Sequence, residues 1–243
     1  MIYKARPSQA SYGEAIGILL LDCFTPFIPG DVANATTYDF PVRFQKVQGL
    51  TTKRVLGKDP TAFDPLLAAA EELVGQGVRA ITGDCGFLAL HQRRLASRFE
   101  IPVFLSSLLQ IPFISGILGP DRKVGVITAD SKGLDEPLLI AVGVEPGEKL
   151  VIRGMEDQPG FSKAVIEEMG VLDSGRIENE VVSVARNMVE DEPEVGALLL
   201  ECSCLPPYGR AIQEAVRLPV FDYVTMINYV HSALVKRRFE GEM

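Results

Sequence analysis

Residues 77–107, "GVRAITGDCGFLALHQRRLASRFEIPVFLSS", lie over residues 194–224, "EVGALLLECSCLPPYGRAIQEAVRLPVFDYV", without a gap. Val78, Ala80, Cys85, Pro102, Val103 and Phe104 match Val195, Ala197, Cys202, Pro219, Val220 and Phe221, and cysteine and proline are 17 residues apart in both. Each segment reads as a short apolar run of strand length, a cysteine, a stretch of helical period and a second short apolar run. The opening strands repeat as well: "IGILLLD" at 16–22 resembles "VGVITAD" at 124–130, with Gly17 and Gly125 each five residues before an aspartate. Two similar halves account for both matches.

Working outward, candidate strands fall at 16–21, 79–82, 103–105, 123–128, 150–153, 197–200 and 220–221. Candidate helices fall at 65–75, 87–99, 160–169, 174–191, 208–217 and 224–238. Continuous apolar strands alternating with helices indicate parallel sheets buried on both faces. The fold expected is α/β, with two pseudo-symmetric Rossmann-like halves of mainly parallel sheet and an active-site cleft between them. The first half would span 1–119 and the second 120–223, divided at the Gly-Pro-Asp punctuation of "ILGPDRK", with the last helix, in 224–243, free to pack on the first half.

Composition narrows the function. The chain has 243 residues, 47% of them hydrophobic and 23% charged, enough for a sizeable core without disulfides. With 32 acidic against 24 basic residues the net charge is −8, and no basic block is present, so nucleic acid and membrane are not expected partners. No run reaches bilayer-spanning length and the N-terminal residues lack a secretory pattern, so a cytoplasmic protein with reduced thiols is expected. No Cys-x-x-Cys occurs, and His91 and His231 lie away from Cys202 and Cys204, so no metal site is expected. No glycine-rich nucleotide loop follows the first strand.

Each repeated cysteine follows a strand and precedes a helix, which places it at the carboxyl end of a parallel strand, where open α/β sheets bind ligands. Facing halves would put Cys85 and Cys202 on opposite walls of one cleft. A helix N-terminus favours thiolate over thiol, so modest tuning makes either a usable base. Two acid/base groups on opposite faces of a carbon can remove a proton on one side and deliver one on the other.

These residues resemble the aspartate/glutamate racemase superfamily, which includes amino-acid and hydantoin racemases, arylmalonate decarboxylase and maleate isomerase. "TGDCGFLALHQ" and "LLLECSCLPPY" carry the resemblance, and "FIPGDVANATTYDFPV" at 27–42 is similar to a less characterised branch. The resemblance implies an isomerase independent of metal, pyridoxal phosphate or any other cofactor. It would racemise or epimerise the α-carbon of an amino acid or a related carboxylate or amide, with Cys85 and Cys202 as catalytic pair. A single-cysteine decarboxylase, a maleate-type cis-trans isomerase and a non-catalytic two-lobed binder of small molecules remain alternatives, and homo-oligomerisation is left open.

The residues expected to bind substrate are Asp22, Asn34, Thr36, Gly86, Phe87, Ser203 and Cys204. Asp22 resembles the acidic residue closing the first strand of glutamate racemases, though capping is an equal reading. Asn34 and Thr36 sit in the loop "PGDVANATT" at 29–37. Gly86 and Phe87 stand where glutamate racemases carry Asn-Thr, and Ser203 and Cys204 where racemases carry Thr-His or Thr-Glu. These departures argue against glutamate or aspartate and for a less charged or larger substrate. Asp84 and Glu201, immediately before the cysteines, either raise the thiol pKa values or cap and hydrogen-bond.

Overall fold

A computed structural model describes residues 2–243. Its frame is two four-stranded sheets, all parallel. The first contains β1 (Ile16–Leu20), β2 (Val42–Lys46), β3 (Ala80–Gly83) and β4 (Val103–Phe104) in the order β2-β1-β3-β4. The second contains β5 (Lys123–Thr128), β6 (Leu150–Gly154), β7 (Val195–Leu200) and β8 (Val220–Phe221) in the order β6-β5-β7-β8. The expected α/β fold of two related parallel sheets is the one observed. Register agrees with the repeat, because Gly17 pairs with Ile81 beside it and Gly125 with Leu198.

In each sheet the chain leaves the central strand to one side and returns on the other. That reversal opens a crevice beyond the carboxyl ends of β1 and β3, and another beyond β5 and β7. The two crevices are joined across one another by side chains. Ser107 Oγ, after β4, donates to the carbonyls of Leu200 and Glu201 at 3.1 and 3.0 Å, and Ser203 Oγ donates to the Asp84 carbonyl. One apolar cluster is shared by both sheets, with Leu19, Leu88 and Leu105 from one side and Val124, Val126, Ala197 and Leu199 from the other.

The Tyr223–Leu234 helix packs on the first sheet, burying Tyr223, Met226 and Ile227 against Ile16, Ile18, Ala80 and Phe104. The fully buried Tyr223 hydroxyl donates to the Leu105 carbonyl at 2.8 Å. None of the helices among the described residues is long and apolar enough to cross a membrane.

Several boundaries differ from the sequence expectation. β2 is absent from it, because "VRFQK" at the sheet edge is only half-buried and reads as polar. The stretch after Cys85 is not one helix: a 3-10 segment, Gly86–His91, precedes a five-residue α-helix, Gln92–Ala96. The expected helix at 160–169 is one α-turn, Pro159–Phe161, followed by a π-helical turn, Ser162–Ile166.

The repeated glycines have a packing cause. A Cβ on Gly125 would lie 2.5 Å from Met188 Sδ, in the Ser174–Asp191 helix, and 2.7 Å from Leu198 Cδ2. On Gly17 it would lie 2.9 Å from Leu73 Cδ1, in the Phe63–Gly75 helix. Both helices thus sit against bare backbone. Gly125→Ala is expected to lower stability by about 1–3 kcal/mol in urea unfolding, the usual cost of overpacking. An unchanged midpoint would show that the close helix approach is not required.

Candidate active site

The pre-cysteine carboxylates organise the two crevices. Asp84 is buried and both of its oxygens accept the Leu21 N–H, at 3.1 and 3.0 Å, across the gap between β1 and β3. At the equivalent position Glu201 is buried, and its Oε2 accepts from Ala129 N–H at 3.3 Å and Thr128 Oγ1 at 2.8 Å across the gap between β5 and β7. Leu21 and Ala129 are themselves repeat-related, each preceding its strand-end aspartate. The same interaction therefore fixes the backbone immediately before Cys85 and Cys202.

A cavity of about 40 Å³ lies where the crevices face each other, lined by Cys85, Gly86 and Phe87 from one half and by Glu201, Cys202, Ser203 and Cys204 from the other. Cys23, Thr25 and Phe27 from the loop after β1, and Val165 and Ile166 from the π-turn, complete it. This volume holds a few waters. The cover is latched between halves: Thr25 Oγ1 donates to the Ala164 carbonyl at 3.3 Å, and Phe24 N–H to Glu168 Oε2 at 3.2 Å.

Six of the nine residues expected at the site line this cavity: Cys85, Cys202, Gly86, Phe87, Ser203 and Cys204. The other three stand apart from it. Asp22 pairs with Lys46 Nζ at 2.8 Å and accepts the Gly49 N–H at 3.1 Å, and the Lys46 contact holds its carboxyl below the usual range. Asn34 caps the Ala35–Thr37 turn, accepting from Thr36 N–H and Thr36 Oγ1, while its Nδ2 donates to the Phe27 carbonyl at 2.9 Å. Asn34 thereby holds a cavity-lining residue, and Thr36 is exposed.

The electrostatics correct one expectation. A thiolate-favouring helix end was expected at Cys85. Burial instead pushes the Cys85 thiol well above its ordinary range, with the charges of Glu201, Cys202 and Asp84 adding to it and only the Phe87 N–H opposing. A short 3-10 turn supplies little dipole against that load. The Cys204 thiol is likewise pushed up, first by its hydrogen bond to Cys202 and then by burial. Cys23 is raised to about 12 by burial.

Two features escaped the sequence. Asp31, in the loop read as a possible substrate contact, is buried; its Oδ1 accepts the Ala33 N–H at 2.9 Å and its carboxylate also meets Cys204. Its Asp-x-Ala-Asn setting looks like an ordinary turn. Glu201 was read as a modifier of its neighbour, yet it lines the cavity itself. Among the described residues no group of three or more His, Cys, Asp or Glu is arranged to hold a metal ion, and no Lys, Arg or His lines the cavity.

Burial raises the carboxyls of Asp84 to about 8, Glu201 to about 7 and Asp31 to about 7. Raised carboxyl pKa values mean that the folded protein keeps protons that the unfolded chain has released. Stability from these groups is full below the ordinary carboxylate range and is lost as pH climbs through 7 to 8. Urea midpoints are expected to fall from the ordinary carboxylate range to about pH 8 and to level off above it, and Asp84→Asn is expected to flatten that slope. A midpoint that rises across this window would contradict the buried-carboxyl account.

No protein-family model matches the chain. Dimethylsulfoniopropionate lyase 5 of Emiliania huxleyi (strain CCMP1516) is 34% identical over 229 residues, which are 90% of this chain and 45% of that protein. Dimethylsulfoniopropionate lyase 7 of the same strain is 31% identical over 232 residues, covering 91% of this chain and 67% of the relative. The chain thus spans less than half the length of the first relative. Among solved structures, glutamate racemase RacE1 from Bacillus anthracis superposes with a TM-score of 0.59 at 12% identity, covering 91% of this chain and 81% of that one. Arylmalonate decarboxylase superposes at 0.57 with 18% identity, covering 92% and 94%.

The expectation of a racemase or epimerase, and of an isomerase altogether, is overturned by these relatives, which are lyases. The chain carries the two-lobed fold of the aspartate/glutamate racemase superfamily and belongs to the dimethylsulfoniopropionate lyase family.

Proposed function

We propose that this chain is a lyase that eliminates a neutral sulfide from a small onium carboxylate of the dimethylsulfoniopropionate type. The observation that carries the reading is the composition of the cavity: the four thiols of Cys23, Cys85, Cys202 and Cys204, the buried carboxyl groups of Asp84 and Glu201, aromatic Phe27 and Phe87, and no cationic side chain among the described residues. A dicarboxylic amino acid, net negative even with its ammonium, would enter a site whose carboxyls burial has already raised and where no cationic side chain receives its second carboxylate. A substrate carrying a fixed positive charge meets the reverse situation, and aromatic faces add to the attraction.

Elimination begins as racemisation does, with loss of the proton beside the carboxylate. The thiolate takes that proton, the C–H electron pair becomes the new C=C bond, and the C–S bond breaks with its pair leaving on sulfur as dimethyl sulfide. Acrylate remains, and the proton on the thiol returns to solvent. The sulfide departs neutral and requires no acid, so one thiol base suffices. This is why two facing cysteines do not by themselves discriminate an isomerase from a lyase.

The surroundings divide the roles. Cys85 is held as the neutral thiol chiefly by burial, with Glu201, Cys202 and Asp84 adding to the rise, which suits it to donate a hydrogen bond to charge developing on the substrate carboxylate. Cys202, beside which their shared hydrogen bond and burial keep the Cys204 thiol protonated, takes the proton. The small apolar-lined cavity limits the water that reaches the carbanion-like transition state.

The test is release of dimethyl sulfide and acrylate from dimethylsulfoniopropionate, followed by headspace gas chromatography and proton NMR. Equal amounts are expected from the unmodified chain without added metal or cofactor. Cys202→Ser is expected to lower kcat by about a thousand-fold, and Cys85→Ser by about ten-fold, since a hydroxyl still donates. Absence of acrylate would sink the reaction, and equal losses in both variants would sink the division of roles.

A further inference from the structure

The two halves differ at one atom that matters. Asp84 spends both carboxylate oxygens on the Leu21 N–H. Glu201 is one methylene longer, and only Oε2 is engaged by Thr128 and Ala129. Its Oε1 is buried and without a hydrogen-bond partner, in a residue only 1% exposed. That oxygen stands over Gly86, in the space a Cβ there would occupy, and both residues line the cavity. An unsolvated carboxylate oxygen without a partner is costly unless something arrives to meet it.

We infer that Glu201 Oε1, seated over Gly86, is the cation subsite of the cavity and receives the onium group of the substrate. Resting on the lyase reading for the identity of that cation, the assignment has a chemical reason of its own. A sulfonium or quaternary ammonium has no N–H or O–H to donate. Its partner is therefore an acceptor that no donor has saturated, reached through polarised methyl C–H groups. Oε1 is such an acceptor, whereas both oxygens of Asp84 are already engaged by the Leu21 N–H. Thr128 and Ala129 fix the carboxylate through its other oxygen, so Oε1 is aimed before the substrate enters. Gly86 is then required because any side chain would displace Oε1 from the contact. Burial raises Glu201 to about 7 in the empty cavity, against the Thr128 and Ala129 hydrogen bonds and with Asp130 adding to the rise. A bound cation supplies the missing counter-charge.

The measurement is calorimetric binding of two ligands of one shape: trimethylammoniopropionate, a poor leaving-group analogue, and the uncharged isostere in which carbon replaces nitrogen. The unmodified chain is expected to bind the cation about ten-fold or more tightly than the isostere. Glu201→Gln is expected to bring that ratio to about one. A ratio unchanged in Glu201→Gln, or no preference in the unmodified chain, overturns the assignment. If Glu201→Gln does not fold, Gly86→Ala drives a methyl into the same oxygen and carries the test with the same expected loss. Dimethyl sulfide release by the unmodified chain separates the two readings. A Glu201-dependent preference without release sinks the lyase alone, and release with a Glu201-independent preference sinks the subsite alone.

Discussion

The site depends on a carboxylate that reaches across the gap between two parallel strands and accepts an N–H from the end of the central one. Asp84 does this to Leu21 and Glu201 does it to Ala129. Each bond spans the point where the sheet reverses its order, the place where an open α/β sheet leaves its crevice. Because the next residue in each chain segment is the cysteine, the same bond fixes the backbone from which each thiol departs. Ser203 and Ser107 then tie one half to the other with hydrogen bonds to backbone carbonyls, holding the two crevices face to face.

On the lyase reading, that frame supplies deprotonation beside a carboxylate and leaves the outcome to the substrate and the lining. With no leaving group on the neighbouring carbon, a proton must return to the carbanion and a second acid is needed. With a sulfonium there, the carbon–sulfur bond breaks instead. The cavity fits the second case through its charge: carboxylates of both halves line it and no cationic side chain does, among the described residues. The raised Cys85 thiol belongs to the same pattern, because burial first, and then the acidic groups around it, keep that thiol protonated.

The repeat made much of this legible from sequence. It located both sheets, paired Cys85 with Cys202, and singled out Gly17 and Gly125, whose missing side chains admit Leu73 and Met188. Gly86, Phe87, Ser203 and Cys204 followed from adjacency to the cysteines. What stayed hidden depends on distant partners. Asp22 resembles the strand-end acidic residue of glutamate racemases, but it pairs with Lys46, on a strand that reads as polar, and does not line the cavity. Asn34 and Thr36 satisfy each other rather than facing inward. Asp31 looks like a turn residue until the fold buries it against Cys204. Glu201 differs from Asp84 by a single methylene, and its free oxygen exists only once Thr128, Ala129 and Gly86 surround it. The isomerase expectation failed for a related reason: a pair of thiols specifies the first proton transfer and is silent about the leaving group.

The most direct measurement is a crystal structure of the Cys202→Ala variant with dimethylsulfoniopropionate bound. The account requires the carbon beside the carboxylate to lie within about 4 Å of the place vacated by the Cys202 sulfur, with the sulfonium against Glu201 over Gly86. A substrate seated outside the cavity, or turned with its carboxylate toward Glu201 and its sulfonium away, would contradict it.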